Sequence, residues 1–199
     1  MNAADHGLPS NPYNAHAWII GAPVIGEGTW IGAFTLIDGR GGLTIGRGCD
    51  ISSGAHVLTH SSARRCVSAR RYSRVDEKPT VIEDHVFVGE HATILMGCRV
   101  GHHSIVAAGS VLLEDTEIPP YSLVAGVPAR VIRSIKQDVE HLMTKSTGER
   151  AVPVATTSAD FAAAQRIPIS TRGQSASRKR VFTGTARPPA LSTRRSART

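Results

Sequence analysis

The sequence lacks most of the features that would give it away. Three cysteines, Cys49, Cys66 and Cys98, are too few and odd in number for a disulfide framework. No apolar run approaches the roughly 18 residues needed to span a bilayer, and residues 1–18, "MNAADHGLPSNPYNAHAW", do not read as a signal peptide. A cytoplasmic protein is the resulting expectation. The formal charge of +7 is also absent from most of the chain: residues 1–145 hold thirteen Lys/Arg against fourteen Asp/Glu, and residues 146–199 hold ten against two. The basicity belongs to the tail, so the body of the chain makes no case for specific nucleic-acid binding.

What the chain does have is a beat of six. Ile25, Ile31 and Ile37 are followed by Ile45, Ile51 and Val57. A third run comprises Ile82, Val88, Ile94, Val100, Val106, Leu112, Ile118 and Val124. A period of six is neither helical nor that of a plain strand, and it marks a solenoid of short strands. Two residues before most beats stands a small residue, such as Thr29, Cys49, Ala92, Cys98 or Ser104, with Val86 the larger exception. Residues two apart on a strand share a face, so small and branched side chains point inward together. Three such strands close one triangular coil, so positions three beats apart stack. Cys49 and Cys98 read as small core residues. The beat breaks twice. Between Ile37 and Ile45, Asp38-Gly39-Arg40-Gly41-Gly42 absorbs two extra residues. Between Val57 and Ile82 the chain makes an excursion over 60–80 that is rich in arginine.

Residues 81–132 resemble the hexapeptide-repeat acyltransferases, in particular the sugar and polysaccharide O-acetyltransferase branch. The likeness rests on the repeat and on Ile118-Pro119-Pro120 followed by Ala125-Gly126-Val127-Pro128-Ala129-Arg130-Val131-Ile132. The resemblance implies an all-β solenoid, a left-handed parallel β-helix. In this reading residues 1–18 are an N-terminal arm and 19–131 the β-helix. Residues 132–145, with Ile132, Ile135, Val139, Leu142 and Met143 at helical spacing, form a capping helix. Residues 146–199 form a disordered basic tail, because Ser, Thr, Ala, Arg, Pro and Gly make up most of it. Through "SRKR" (177–180) the tail could contact an acidic surface weakly.

The resemblance further implies acetyl-CoA as co-substrate, a homotrimer with sites between subunits, and a sugar or nucleotide-sugar acceptor in polysaccharide biosynthesis. A thioester is already activated, so acyl transfer needs only a base, donors for the oxyanion, and alignment. His60, at the start of the excursion, is the candidate base. By position, Glu90 offers a backbone amide to the thioester carbonyl, Ala108 stacks on it three beats later, and Arg130 and Arg133 match basic residues near the nucleotide phosphates. Glu114 departs from the pattern, beside an apparent two-residue insertion at Thr116-Glu117. Other histidines compete. His56 points outward and could line the same groove, and His85 and His103, three beats apart, should stack at one corner. Residues 91–98, "HATILMGC", resemble the zinc motif of γ-class carbonic anhydrases, but Met96 stands where a second histidine is needed, and a thioether is a poor zinc ligand. No metal is expected. Three alternatives stay open: an N-acetyltransferase on an amino sugar, a γ-carbonic-anhydrase-like zinc protein, and a non-catalytic β-helix scaffold. The arginines of 64–74 could grip a nucleotide-linked or acidic sugar.

Overall fold

The structure is a computed structural model and describes residue 7 and residues 10–145. The expected basic tail, the "SRKR" segment and His6 lie outside the described residues. Among the described residues no helix is long and apolar enough to cross a membrane.

Three parallel sheets run the length of the stack, and the chain visits them in turn. The first contains Trp18–Gly21, Leu36–Gly39, His56–Val57, Thr93–Ile94 and Val111–Leu112. The second contains Val24–Ile25, Leu43–Ile45, Thr80–Ile82, Arg99–Val100 and Glu117–Ile118. The third contains Trp30–Ile31, Asp50–Ile51, Phe87–Val88, Ile105–Val106 and Ser122–Gly126, and is closed by the antiparallel strand Ala129–Ser134. Ile82, Val88 and Ile94 thus line three walls of one prism. Thirteen of the fourteen beat residues are buried, while Ile25 is half-buried and packs on the core. Burying one such side chain contributes about 1.5–3 kcal/mol, so the beat supplies the main drive for coiling.

The small positions also have polar work. Thr29 Oγ1 donates to Gly46 O at 2.7 Å, Cys49 Sγ to Glu83 O at 3.1 Å, and Ser122 Oγ to Pro119 O at 2.7 Å. Each satisfies a carbonyl at a turn that the ladders leave over. Burial pushes the thiols of Cys49 and Cys98 up, in keeping with inert core residues.

Turns between sheets put residues in the left-handed region. At the corner between the second and third sheets these are Gly28, Gly48, His85, His103 and Tyr121, with φ of 71°, 60°, 57°, 55° and 58°. Histidine tolerates this region better than branched residues do, which accounts for the histidines found at corners. Their N–H groups donate down the corner, His85 to Arg47 O at 2.9 Å and His103 to Asp84 O at 3.0 Å. The rings stack as the spacing predicts, His85 on His103 at 5.0 Å and His103 on Tyr121 at 5.1 Å. Gly48 continues the column because a side chain there would strike the His85 ring, 2.6 Å away.

Strand partners are three beats of six apart in the regular coils, as Phe87 with Ile105 and Thr93 with Val111. They are 20 apart from Leu36 to His56, and 37 apart from His56 to Thr93. The excess is therefore two residues in one coil and nineteen in the next. Both fall at the corner between the first and second sheets, the first corner. Thr116-Glu117 introduces no break: Glu117 pairs with Arg99 and Ile118 with Val100, in register, so the insertion inferred from the sequence is absorbed without a bulge.

The ends differ from expectation in one respect. Ile132 belongs to the closing strand, not to a helix, and the terminal helix begins only at Lys136 (Lys136–Lys145). The last edge of the third sheet has backbone groups to pair, and a strand satisfies them where a helix cannot. Ile135 remains buried, whereas Leu142 and Met143 are exposed. At the other end Ala17 is fully buried and the Asn11 side chain donates to its carbonyl at 3.2 Å, so the N-terminal segment lies on the first coil.

Candidate active site

The excursion at the first corner is a folded unit. His60–Ser61 pairs antiparallel with Asp76–Glu77, and a short helix, Ala63–Val67, carries Cys66 between them. Arg64 donates to Asp76 from Nε at 2.8 Å and from Nη2 at 2.5 Å, and the Tyr72 hydroxyl donates to the same carboxylate at 2.6 Å. The Arg64 guanidinium also lies over the Tyr72 ring at 4.7 Å. The hydrogen bond from Arg64, then that from Tyr72, holds the Asp76 carboxyl down at about 2. This latch holds closed the hairpin that presents His60. Of the arginines expected to grip an acceptor, Arg64 is committed here and Arg74 lies over Tyr72 at 5.7 Å.

His60 stands against Asp38, which comes from the eight-residue step one coil earlier. Asp38 is fully buried. Its Oδ2 accepts from the Thr59 amide at 3.1 Å, from the Thr59 hydroxyl at 3.0 Å, and from His60 Nδ1 in a short contact. Its Oδ1 accepts from Arg40 Nε at 3.0 Å. Burial alone would raise the Asp38 carboxyl, but the bonds from His60, Arg40 and Thr59 outweigh it and leave the group well below the carboxylate range. An ionised Asp38 accepts only, so Nδ1 of His60 carries the donated proton, and in the neutral ring Nε2 carries the lone pair. Arg40 Nη2 lies against the ring, 2.5 Å from that Nε2 and 2.9 Å from Nδ1. Gly41 makes the approach possible: its N–H donates to Thr59 Oγ1 at 2.9 Å, and any side chain on it would collide with the Thr59 carbonyl oxygen. A base oriented by a buried carboxylate is the arrangement that general-base chemistry requires.

Sequence reasoning singled out His60 but read Asp38 and Arg40 only as part of a glycine-rich filler. The signal available was the eight-residue step itself, carrying an acid directly after the inward Ile37.

The other candidates fall elsewhere. Glu90 is exposed and Ala108 exposed beside it on the edge between the third and first sheets, the third corner, and the Gly109 amide donates to Glu90 O at 2.8 Å. Gly89 packs so closely on the next coil that a methyl group there would meet the Ala108 nitrogen at 2.5 Å. Arg130 pairs across from Ala125 and continues this edge, with its Nη1 donating to its own neighbour's carbonyl, Ala129 O, at 2.8 Å. Arg133 lies at the other end of the same strand, opposite Leu123, and is paired with Asp138 at 2.6 Å. Glu90, Ala108 and Arg130 are thus brought into line, whereas Arg133 and His60 are not on that edge. Glu114 falls at the first corner, beside Asp115, whose carboxylate pairs with Lys78. Within one chain it is therefore on the His60 edge and away from Arg130. His56 is exposed on the first sheet. Met96 is buried, and among the described residues no three His, Cys, Asp or Glu side chains gather as a metal cluster.

Residues 79–114 match the family model for the hexapeptide repeat of succinyl-transferase. Over 60 residues the chain is 52% identical to a 2,3,4,5-tetrahydropyridine-2,6-dicarboxylate N-acetyltransferase of Brevibacillus brevis, a match covering 30% of this chain and 25% of that enzyme. A Clostridium perfringens protein of the same name is 48% identical over 59 residues, covering 30% of this chain and 24% of its own length. The chain thus spans about a quarter of the length of these curated relatives. Among solved structures, a hexapeptide-repeat-containing acetyltransferase of Vibrio cholerae, complexed with acetyl coenzyme A, superposes with a TM-score of 0.50 at 36% identity. The match covers 57% of this chain and 61% of that one. The N-acyltransferase AntD of Bacillus cereus, in complex with dTDP and 3-hydroxybutyryl-CoA, reaches 0.56 at 22% identity, over 67% of this chain and 73% of its own, and so bears on the fold alone. The repeat, the three-walled coil and these matches make the chain similar to hexapeptide-repeat acetyltransferases over its coiled region.

Proposed function

We propose that this chain transfers an acetyl group from acetyl-CoA to a small acceptor, with His60 as the general base. The observation that carries the reading is the Asp38–His60 pair, an imidazole whose orientation and tautomer are set by a buried carboxylate. Acetyl-CoA supplies an activated carbonyl and a good leaving group. His60 Nε2 takes the proton of the acceptor as its lone pair attacks, and returns that proton to the departing sulfur. A backbone amide near Glu90 serves the oxygen on which negative charge develops. Gly89, Ala107, Ala108 and Ala125 leave the third corner lined with small residues, as a slender pantetheine arm needs, and exposed Arg130 at its end suits phosphate.

His60 and the Glu90–Ala108–Arg130 edge occupy different corners of one prism. A complete site therefore draws the base from one copy and the thioester edge from a neighbour, which favours a homotrimer with three shared sites. The acceptor nucleophile is placed first as an amine, because relatives alike in sequence are named N-acetyltransferases. A hydroxyl acceptor on a sugar or nucleotide sugar is the second reading, favoured by the buried Asp38 behind the base, since a hydroxyl needs the stronger assistance. The test is acetyl-CoA turnover of the full chain on matched panels of amines and hydroxyls, with wild type and His60→Ala. Turnover that depends on His60 supports the reading. Turnover unchanged in the variant removes His60 from the mechanism.

A further inference from the structure

We propose that Arg40 is the anchor for a negative charge on the acceptor, and that it covers the base until such an acceptor draws it away. This rests on the reading of His60 as the base and names the class of molecule on which it acts: an acceptor with a carboxylate or phosphate beside its nucleophile.

Nδ1 of His60 is bound to Asp38, so Nε2 is the nitrogen left for an acceptor proton. Arg40 Nη2 lies over the ring, 2.5 Å from Nε2 and 2.9 Å from Nδ1. A guanidinium only donates, so it can hydrogen-bond Nε2 only where that nitrogen carries its lone pair. Arg40 therefore lies over the ring beside the nitrogen an acceptor must reach, and crowds that approach until the guanidinium moves. Its side chain is 46% exposed, and its Nε remains tied to Asp38 Oδ1 at 3.0 Å. The outer nitrogens can swing toward solvent without Arg40 leaving the corner. A neutral acceptor offers nothing in exchange for the lost contact. A carboxylate or phosphate offers a two-pronged, charge-assisted bond for which the planar guanidinium is shaped. The surroundings favour the same class: residues 60–80 carry six Lys/Arg and two Asp/Glu, a net of +4. Among the described residues Arg65, Arg70 and Arg71 have no ion-pair partner.

The experiment has a binding arm and a turnover arm, both on the full chain. In the first, the ¹⁵N resonances of labelled His60 are followed while glutarate, or its neutral diamide glutaramide, is added. Glutarate is expected to shift Nε2 as Arg40 departs, glutaramide to leave it in place, and Arg40→Met to abolish the response to glutarate. Equal responses to both compounds, or no response to glutarate, overturn the proposal. In the second, acetyl-CoA turnover is compared on amino acids and their amides. Wild type is expected to prefer the acid form by about 10- to 100-fold in kcat/KM, the range of a charge-assisted hydrogen bond. Arg40→Met should reduce that preference to about one, and Arg40→Lys should restore part of it. A preference unchanged in Arg40→Met overturns the role of Arg40. Loss of all turnover in wild type, with the glutarate response intact, counts against the acetyl-transfer reading and leaves the anion anchor standing.

Discussion

The first and third corners of the prism are built from the same repeat, yet only one of them keeps time. At the third corner Glu90 and Ala108 are separated by three beats of six, and the turns repeat with little change. At the first corner two successive coils carry two and then nineteen extra residues, and there Asp38, Arg40 and His60 converge. The regular corner makes a surface of backbone and small side chains suited to an extended, shared ligand. The irregular corner makes a buried charge, an oriented imidazole and a latch. A solenoid fills its interior with aliphatic residues, so chemistry specific to one protein is written where the beat fails.

Four tests bear on this comparison. The largest expected effect is at the irregular corner: His60→Ala should lower kcat by about 10³-fold, within the usual span for a general base. Tm should change little, because Arg40 and Thr59 still bond the Asp38 carboxylate. Kinetics beside a thermal melt would check it. In the regular stack the expectation is reversed. Ile94→Ala removes a fully buried beat residue and should cost about 2–5 kcal/mol in a urea titration while leaving acceptor selectivity unaltered. Asp38→Asn keeps the shape of the corner but removes the charge that fixes the His60 tautomer. A fall in kcat of about 10²-fold is expected, the lower end of the span for a general base, with KM for acetyl-CoA unaffected since the proposed thioester edge is elsewhere. The smallest effect concerns the latch. Asp76 has its carboxyl lowered from 3.8 to about 2 by Arg64 and then Tyr72. Its folded value is below its unfolded one, so its contribution is complete above the unfolded value and is lost as pH falls through the folded value. Protection factors for amide exchange in His60–Ser61 and Asp76–Glu77, corrected for the intrinsic pH dependence of exchange, should stay high at pH 5 and fall between about pH 4 and 2. The coil ladders of Thr93–Ile94 should not follow.

Much of the fold was legible because it is periodic. A branched residue every six positions, with a small one two before it, reports a triangular coil directly, and the beat residues are the buried ones. His85 and His103 could be stacked from spacing alone. His60, the proposed base, was legible as a histidine at a break in the repeat. Asp38 and Arg40 were not, because they reach His60 across 22 and 20 positions, separations that follow no multiple of the coil. The closing strand Ala129–Ser134 was hidden for another reason. Ile132 and Ile135, three apart, fit a helix as well as a strand turning inward at its end, and only the open edge of the third sheet decides between them. Glu114 was set near the nucleotide phosphates by likeness to relatives; the coil register puts it on the His60 edge of its own chain, across the first sheet from that chain's Arg130.

The account stands most directly on the claim that one site takes its base from the first corner of one copy and its thioester edge from the third corner of another. Subunit mixing measures this. His60→Ala and Ala108→Trp chains should each be inactive alone. After exchange in equal amounts, about a quarter of the interfaces of a trimer should join an intact His60 to an intact edge, and about a quarter of wild-type acetyl transfer should return. A mixture as inactive as its parents would contradict the shared site.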